Sequence, residues 1–229
     1  MKDTTNRARA VRRMCFTQIL MLFFCIYGTL YADEKGDALT HYRTGRNLDA
    51  AGRTEEAKEH YTEAVRICQN ELKNNSRNME SYTVYTWSLF RLHHYRETVA
   101  VCNEALKIAS DRRIIETLGE AYFFVGDYKE SLRNMERYID MAPTGERISI
   151  AYFYAGDIYR LTKRYQKADI AYSAAVYLEP SNPLWWYRLG LAREQAGQKQ
   201  SAQEAYQKAL NIRKDYKEAA DALTRVQSL

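Results

Sequence analysis

The 229-residue sequence predicts an all-α fold, a superhelical solenoid of antiparallel helix pairs closed by a C-terminal capping helix. The first observation is a repeat. Tyr152, Gly156, Ala168, Tyr172 and Ala175 recur as Trp186, Gly190, Ala202, Tyr206 and Ala209, each 34 residues further on, the period of a two-helix unit that buries its apolar face only by stacking on a neighbour. The second is punctuation. The chain has three prolines, and Pro143, Pro180 and Pro183 all fall at boundaries of this repeat, where a missing N–H does no harm. The third is that no apolar-polar alternation of the strand type runs beside the helical period.

Taken in order, the register begins at residues 38–71, where Gly45, Leu48, Gly52, Ala57, Tyr61 and Ala64 set the pattern. Residues 79–111 keep Tyr82, Leu89, Tyr95, Cys102 and Ala105, with Cys102 in the place of a core aromatic, but carry Thr86 where the other copies have glycine and Thr98 in place of alanine. Residues 112–145 restore it with Leu118, Gly119, Tyr122, Gly126 and Tyr128, although Ser131 stands at the alanine position. Residues 149–182 and 183–216 are the clearest copies. Positions four, seven, eight and eleven of each copy lie three or four apart and so share one helix face, as Tyr152, Ala155, Gly156 and Tyr159 do. Small residues there let helix axes approach to roughly 8–10 Å while aromatics fill the space between. Gly52, Gly126 and Gly197 are placed to end first helices in a left-handed conformation. Seven residues, 72–78, are inserted after the first copy and three, 146–148, after the third. The first insertion is expected to lengthen a helix before a polar turn at Asn74, Asn75 and Ser76. In residues 217–229, Ala220, Leu223 and Val226 give the apolar side of the cap that a solenoid's last repeat requires.

This arrangement of a large residue, Leu-Gly and an aromatic on one helix, then Ala, an aromatic, Ala and Pro on the next, resembles the tetratricopeptide repeat family. The resemblance implies a right-handed superhelix whose inner, concave wall holds a protein or peptide; the alternative that its aromatic residues leave open is an apolar or transported small ligand in the same groove. It also implies that positions two, five, nine and twelve of each first helix line that wall. Here they supply Tyr42, Arg46, Trp87, Phe90, Arg113, Glu116, Glu120, Phe123, Phe153, Asp157, Arg160 and Tyr187 as candidate contacts. Aromatics with arginine are frequent interface anchors. The subtype that grips a C-terminal carboxylate with basic and amide residues on the first and third repeats is not matched: of Tyr42, Arg46, Arg113 and Thr117, only Arg113 meets its charge requirement.

Residues 1–32 stand outside the register. Lys2, Arg7, Arg9, Arg12 and Arg13 precede a mainly apolar run from Met14 to Tyr31, and Ala32 meets Asp33, the form of a signal peptide or a membrane anchor. Either leaves residues 33–229 as a domain exported from the cytoplasm, in the periplasm or cell envelope; a lipidated Cys25 is a third possibility with a poor match, because Phe23 and Phe24 stand where small residues are expected. The charge follows the same division. Five of the 34 Lys and Arg and one of the 29 Asp and Glu lie there, which leaves 29 against 28. A domain of net charge +1 lacks the concentrated positive face of a nucleic-acid binder. Cys68 and Cys102 remain, buried thiols or a disulfide pair. No HExxH, paired CxxC, GxSxG or GxxxxGK motif occurs, and His93 and His94 are adjacent at a turn, so no catalytic, cofactor or metal role is expected of this chain.

Overall fold

The computed structural model describes residues 37–228, and the expected signal or anchor lies outside them. The described residues form eleven helices and no strand. Five antiparallel pairs follow one another: α1 (Ala38–Ala50) with α2 (Thr54–Asn74), α3 (Met79–Arg91) with α4 (Tyr95–Ile108), α5 (Arg112–Val125) with α6 (Tyr128–Met141), α7 (Ile148–Leu161) with α8 (Tyr165–Leu178), and α9 (Pro183–Gln195) with α10 (Lys199–Ile212). The last helix, α11 (Lys217–Gln227), packs on α10. First helices of neighbouring pairs also touch, α1 with α3 through to α9 with α11, so they form one continuous wall. None of the described helices is long and apolar enough to cross a membrane.

Each first helix ends at a residue with positive φ. Gly52, Gly126 and Gly197 serve three pairs, at 75°, 91° and 78°, and in the other two His93 and Lys163 adopt the same conformation at 63° and 59°. Starts are set by side chains. Asp37, Asn78, Asp111 and Asn182 accept from backbone N–H groups at the N-termini of α1, α3, α5 and α9. Helix α7 has Arg147 at that position and no side-chain cap. The seven-residue insertion extends α2 to Asn74, giving it 21 residues, before the turn at Asn75.

The crossing inside four of the five pairs is a glycine set against a large side chain. A Cβ placed on Gly45 or Gly156 would come within 2.6 Å of the ring of Tyr61 or Tyr172, and one on Gly119 within 2.9 Å of Met135. Gly190 meets Tyr206 in the same way. In the second pair both partners change. Thr86 replaces the glycine and Cys102 the ring, and both are fully buried. The added methyl and hydroxyl fill space that the smaller thiol leaves, and Thr86 Oγ1 donates to the Thr83 carbonyl at 3.0 Å. The two other departures are likewise satisfied: Thr98 Oγ1 donates to the His94 carbonyl and Ser131 Oγ crosses to the Gly119 carbonyl at 2.7 Å. Cys68 and Cys102 are free, not bridged, and burial pushes the Cys68 thiol up to about 12.

The reciprocal exchange makes a testable coupling. Cys102→Tyr alone is expected to destabilise the protein by about 1–3 kcal/mol, because the ring meets Thr86 where the other pairs have glycine. Adding Thr86→Gly should recover most of that loss in a denaturant titration. Purely additive effects of the two changes would show that they do not share one contact.

Candidate binding groove

The inner wall folds into a cleft of about 480 Å³ to which all five helix pairs contribute. The first helices supply it because positions five, nine and twelve lie one helical turn apart on the face turned from the partner helix. Of the residues singled out by sequence, Tyr42, Arg46, Trp87, Phe90, Glu116, Glu120 and Phe153 meet there. Tyr42 and Trp87 lie with ring centroids 5.3 Å apart, and Phe153 stacks on Trp185 at 5.2 Å with 17° between planes. Between these two pairs runs a chain of edge-to-face contacts from Phe90 through Phe124, Phe123 and Tyr154 to Phe153. Trp87, Phe90 and Phe153 stay partly exposed, whereas Trp185 is buried.

Charge in the cleft is unevenly available. Glu116 and Glu120 are 3% and 5% exposed, too buried to stand as open wall residues. Arg147, from the three-residue insertion, reaches over both: its Nε donates to Glu116 Oε1 at 2.6 Å and its Nη2 pairs with Glu120. Burial and the adjacent Glu120 carboxylate raise the Glu116 pKa well above the usual carboxylate range, and Arg147 opposes that rise. Arg46 and Arg91 line the same cleft, and both are exposed.

The remaining candidates lie elsewhere. Arg113 is held by Glu80, at 2.8 and 2.9 Å, and by Asp111 at 2.7 Å. Phe123 is enclosed by Phe124, Tyr128 and Tyr154. Asp157 is 6% exposed and accepts the Tyr172 hydroxyl at 2.5 Å, with Arg160 beside it. Tyr187 packs on Tyr206 and Tyr216. Sequence reasoning passed over Arg91, Arg147, Tyr154 and Trp185. Their positions belong to a helix end, an insertion and wall positions that the simple register omits. It also passed over the contact of His41 with His60, whose Nδ1 atoms lie 3.0 Å apart between α1 and α2. Among the described residues no group of three or more His, Cys, Asp or Glu is placed to hold a metal ion.

Two tetratricopeptide repeat family models match the chain, one over residues 116–183 and one over residues 38–71 and 186–216. Together they span more than half of it. The chain belongs to the tetratricopeptide repeat family. A curated relative, the human tetratricopeptide repeat protein 6, is 24% identical over 138 residues, 60% of this chain, and the chain spans only about a quarter (25%) of that protein's length. Among solved structures, MamA is similar with a TM-score of 0.63 at 20% identity, over 71% of this chain and 94% of that one. YrrB, described as a tetratricopeptide repeat protein with an unusual peptide-binding site, gives 0.59 at 19% identity over 89% and 98%. TTC0263, a thermophilic tetratricopeptide repeat protein of Thermus thermophilus, gives 0.60 at 18% identity over 84% and 100%. These structures share the tetratricopeptide fold; what each binds belongs to that protein.

Within this tetratricopeptide domain, the raised Glu116 pKa has a definite sign. The native state holds a proton that the unfolded chain releases, so stability falls as pH rises from the usual glutamate range toward the higher folded value. Glu116→Gln, a neutral isostere, is expected to flatten that fall while keeping the fold at neutral pH. Arg147→Ala should instead cost about 3–5 kcal/mol by leaving the buried Glu116–Glu120 pair, and the charge it carries, without its cation. Urea unfolding of the three proteins across the pH range checks both. A parallel pH dependence in wild type and Glu116→Gln would show that Glu116 is not the group responsible.

Proposed function

We propose that this protein is a non-enzymatic scaffold whose inner groove holds an extended peptide segment of a partner protein, and that it works outside the cytoplasm, in the cell envelope. One observation carries the binding reading: partly exposed rings and two exposed arginines converge in a single cleft fed by all five helix pairs. Rings with few rotatable bonds lose little entropy on binding, and arginine adds directional donors. Exposed charges of both signs, Arg46, Arg91 and Glu146, stand at the same cleft, which suits a peptide with polar and apolar side chains better than an apolar small molecule. The peptide-binding site of the similar YrrB is in keeping with this reading. Support for the location comes from the basic segment and apolar run of residues 1–32.

Two experiments test the two halves. Panning a random peptide library on the wild-type protein should enrich ligands whose affinity falls roughly tenfold or more in a Trp87→Ala, Phe153→Ala double variant. Ligands that bind both proteins equally would rule the groove out as their site. For location, fractionation and N-terminal sequencing of the mature chain should find it in the envelope, beginning at Asp33 if cleaved or at Met1 if anchored. An uncleaved chain in the cytosolic fraction would end that half of the proposal.

A further inference from the structure

Beyond the Phe153–Trp185 stack the wall continues with three charged residues. Asp157 and Arg160 lie four and seven positions after Phe153, and Arg188 three after Trp185, so all three follow the stack along the same helix faces. Asp157 is buried and its Oδ1 already accepts the Tyr172 hydroxyl at 2.5 Å. The two guanidiniums share that one oxygen at a distance, Arg160 Nη2 at 3.6 Å and Arg188 Nε at 3.8 Å, within ion-pair range but beyond hydrogen-bond length. Their Nε atoms are both buried and have no acceptor. Other arginines in the chain behave differently: Nε of Arg147 donates to Glu116, that of Arg193 to Asp169 and that of Arg225 to Glu194, all within 2.9 Å. A buried N–H without a partner is costly, and two cations around one carboxylate leave the cluster one positive charge in excess.

We infer that Arg160 and Arg188 form a carboxylate-binding subsite beside the Phe153–Trp185 stack, taking an acidic side chain or the C-terminal carboxylate of the segment held in the groove. A planar monoanion with two oxygens matches the guanidinium fork, whereas a phosphate dianion would be repelled by Asp157. The subsite rests on the groove reading only for the origin of its ligand, since a free carboxylate would satisfy the same donors.

The test is titration of the protein, its arginine Nε–H groups followed by NMR, with sodium acetate, inorganic phosphate, and three peptides: acetyl-Trp-Glu-amide, acetyl-Trp-Gln-amide and acetyl-Trp-Gly with a free carboxylate. Acetate is expected to move the Arg160 and Arg188 signals saturably. At least one of the two carboxylate peptides should bind more tightly than acetate, which of them showing whether a side-chain or terminal carboxylate is taken, and the Gln peptide should leave both signals in place. Arg188→Gln should weaken the preferred peptide roughly tenfold. Asp157→Asn, which keeps an acceptor for Tyr172 but removes the competing charge, should tighten it roughly threefold or more, a gain that a merely structural role would not produce. No saturable shift with acetate, a preference for phosphate, or a Gln peptide that saturates both signals as tightly as the better carboxylate peptide would overturn the subsite. Acetate binding with no gain from any peptide would support the subsite and count against the peptide groove.

Discussion

Everything in this solenoid depends on a second-helix side chain filling the space left by the residue opposite on the first helix, a large side chain against glycine in four pairs and Cys102 against Thr86 in the other. The contact sets how closely the helices cross, and it also decides what happens on the inner wall. Where the filler is tyrosine, its hydroxyl emerges at the wall and donates to a carboxylate there: Tyr61 to Asp49, Tyr172 to Asp157 and Tyr206 to Glu194. Those acids are parts of the packing. Their pairing raises the tyrosine pKa values above the usual phenol range, after the larger contribution of burial.

The two pairs without tyrosine depart together from this plan. Cys102 and Met135 bring no hydroxyl to the wall. In the second pair the matching wall positions are Trp87 and Phe90, so no carboxylate is left in need of a donor. The third pair keeps Glu120, and the missing hydroxyl is replaced by Arg147, which gives up the chance of a side-chain cap on α7 to provide the cation. The aromatic and ionic centre of the groove therefore coincides with the pairs in which the filler is not tyrosine. The packing and the character of the inner wall are two outcomes of one substitution pattern.

Much of the fold was legible because its determinants are local. A glycine that ends a helix, an asparagine that caps one and a proline at a boundary act within a few residues of themselves, and the 34-residue period repeats them. Even so, His93 and Lys163 take the left-handed position without being glycine, which composition alone does not announce. The groove was legible only in part. Wall positions follow from helical periodicity, but their exposure depends on what covers them. Glu116 and Glu120 read as surface charges until Arg147, 31 and 27 residues away, folds over them. Thr86 and Cys102 were visible as two irregularities; that they compensate each other follows only from which side chains oppose across the crossing. Arg188 sits at position six of its copy, outside the wall register of positions two, five, nine and twelve.

Separating committed from available charge changes the character of the groove. Asp49, Asp157 and Glu194 are engaged by tyrosine hydroxyls, and Glu116 and Glu120 by Arg147, so most wall acids are unavailable to a ligand. Arg46 and Arg91 remain exposed at one end, and Arg160 and Arg188 hold spare donors at the other. Between them the rings from Phe90 to Trp185 brace one another across consecutive pairs, which matters in a solenoid, where each unit is otherwise tied only to its neighbours. A wall braced in this way would need little ordering on contact with the proposed partner, leaving more of the interaction energy as affinity. The same bracing fixes the spacing between the two arginine ends, so in the binding role proposed above specificity would come from where a ligand carries its negative charges as much as from the apolar side chains between them.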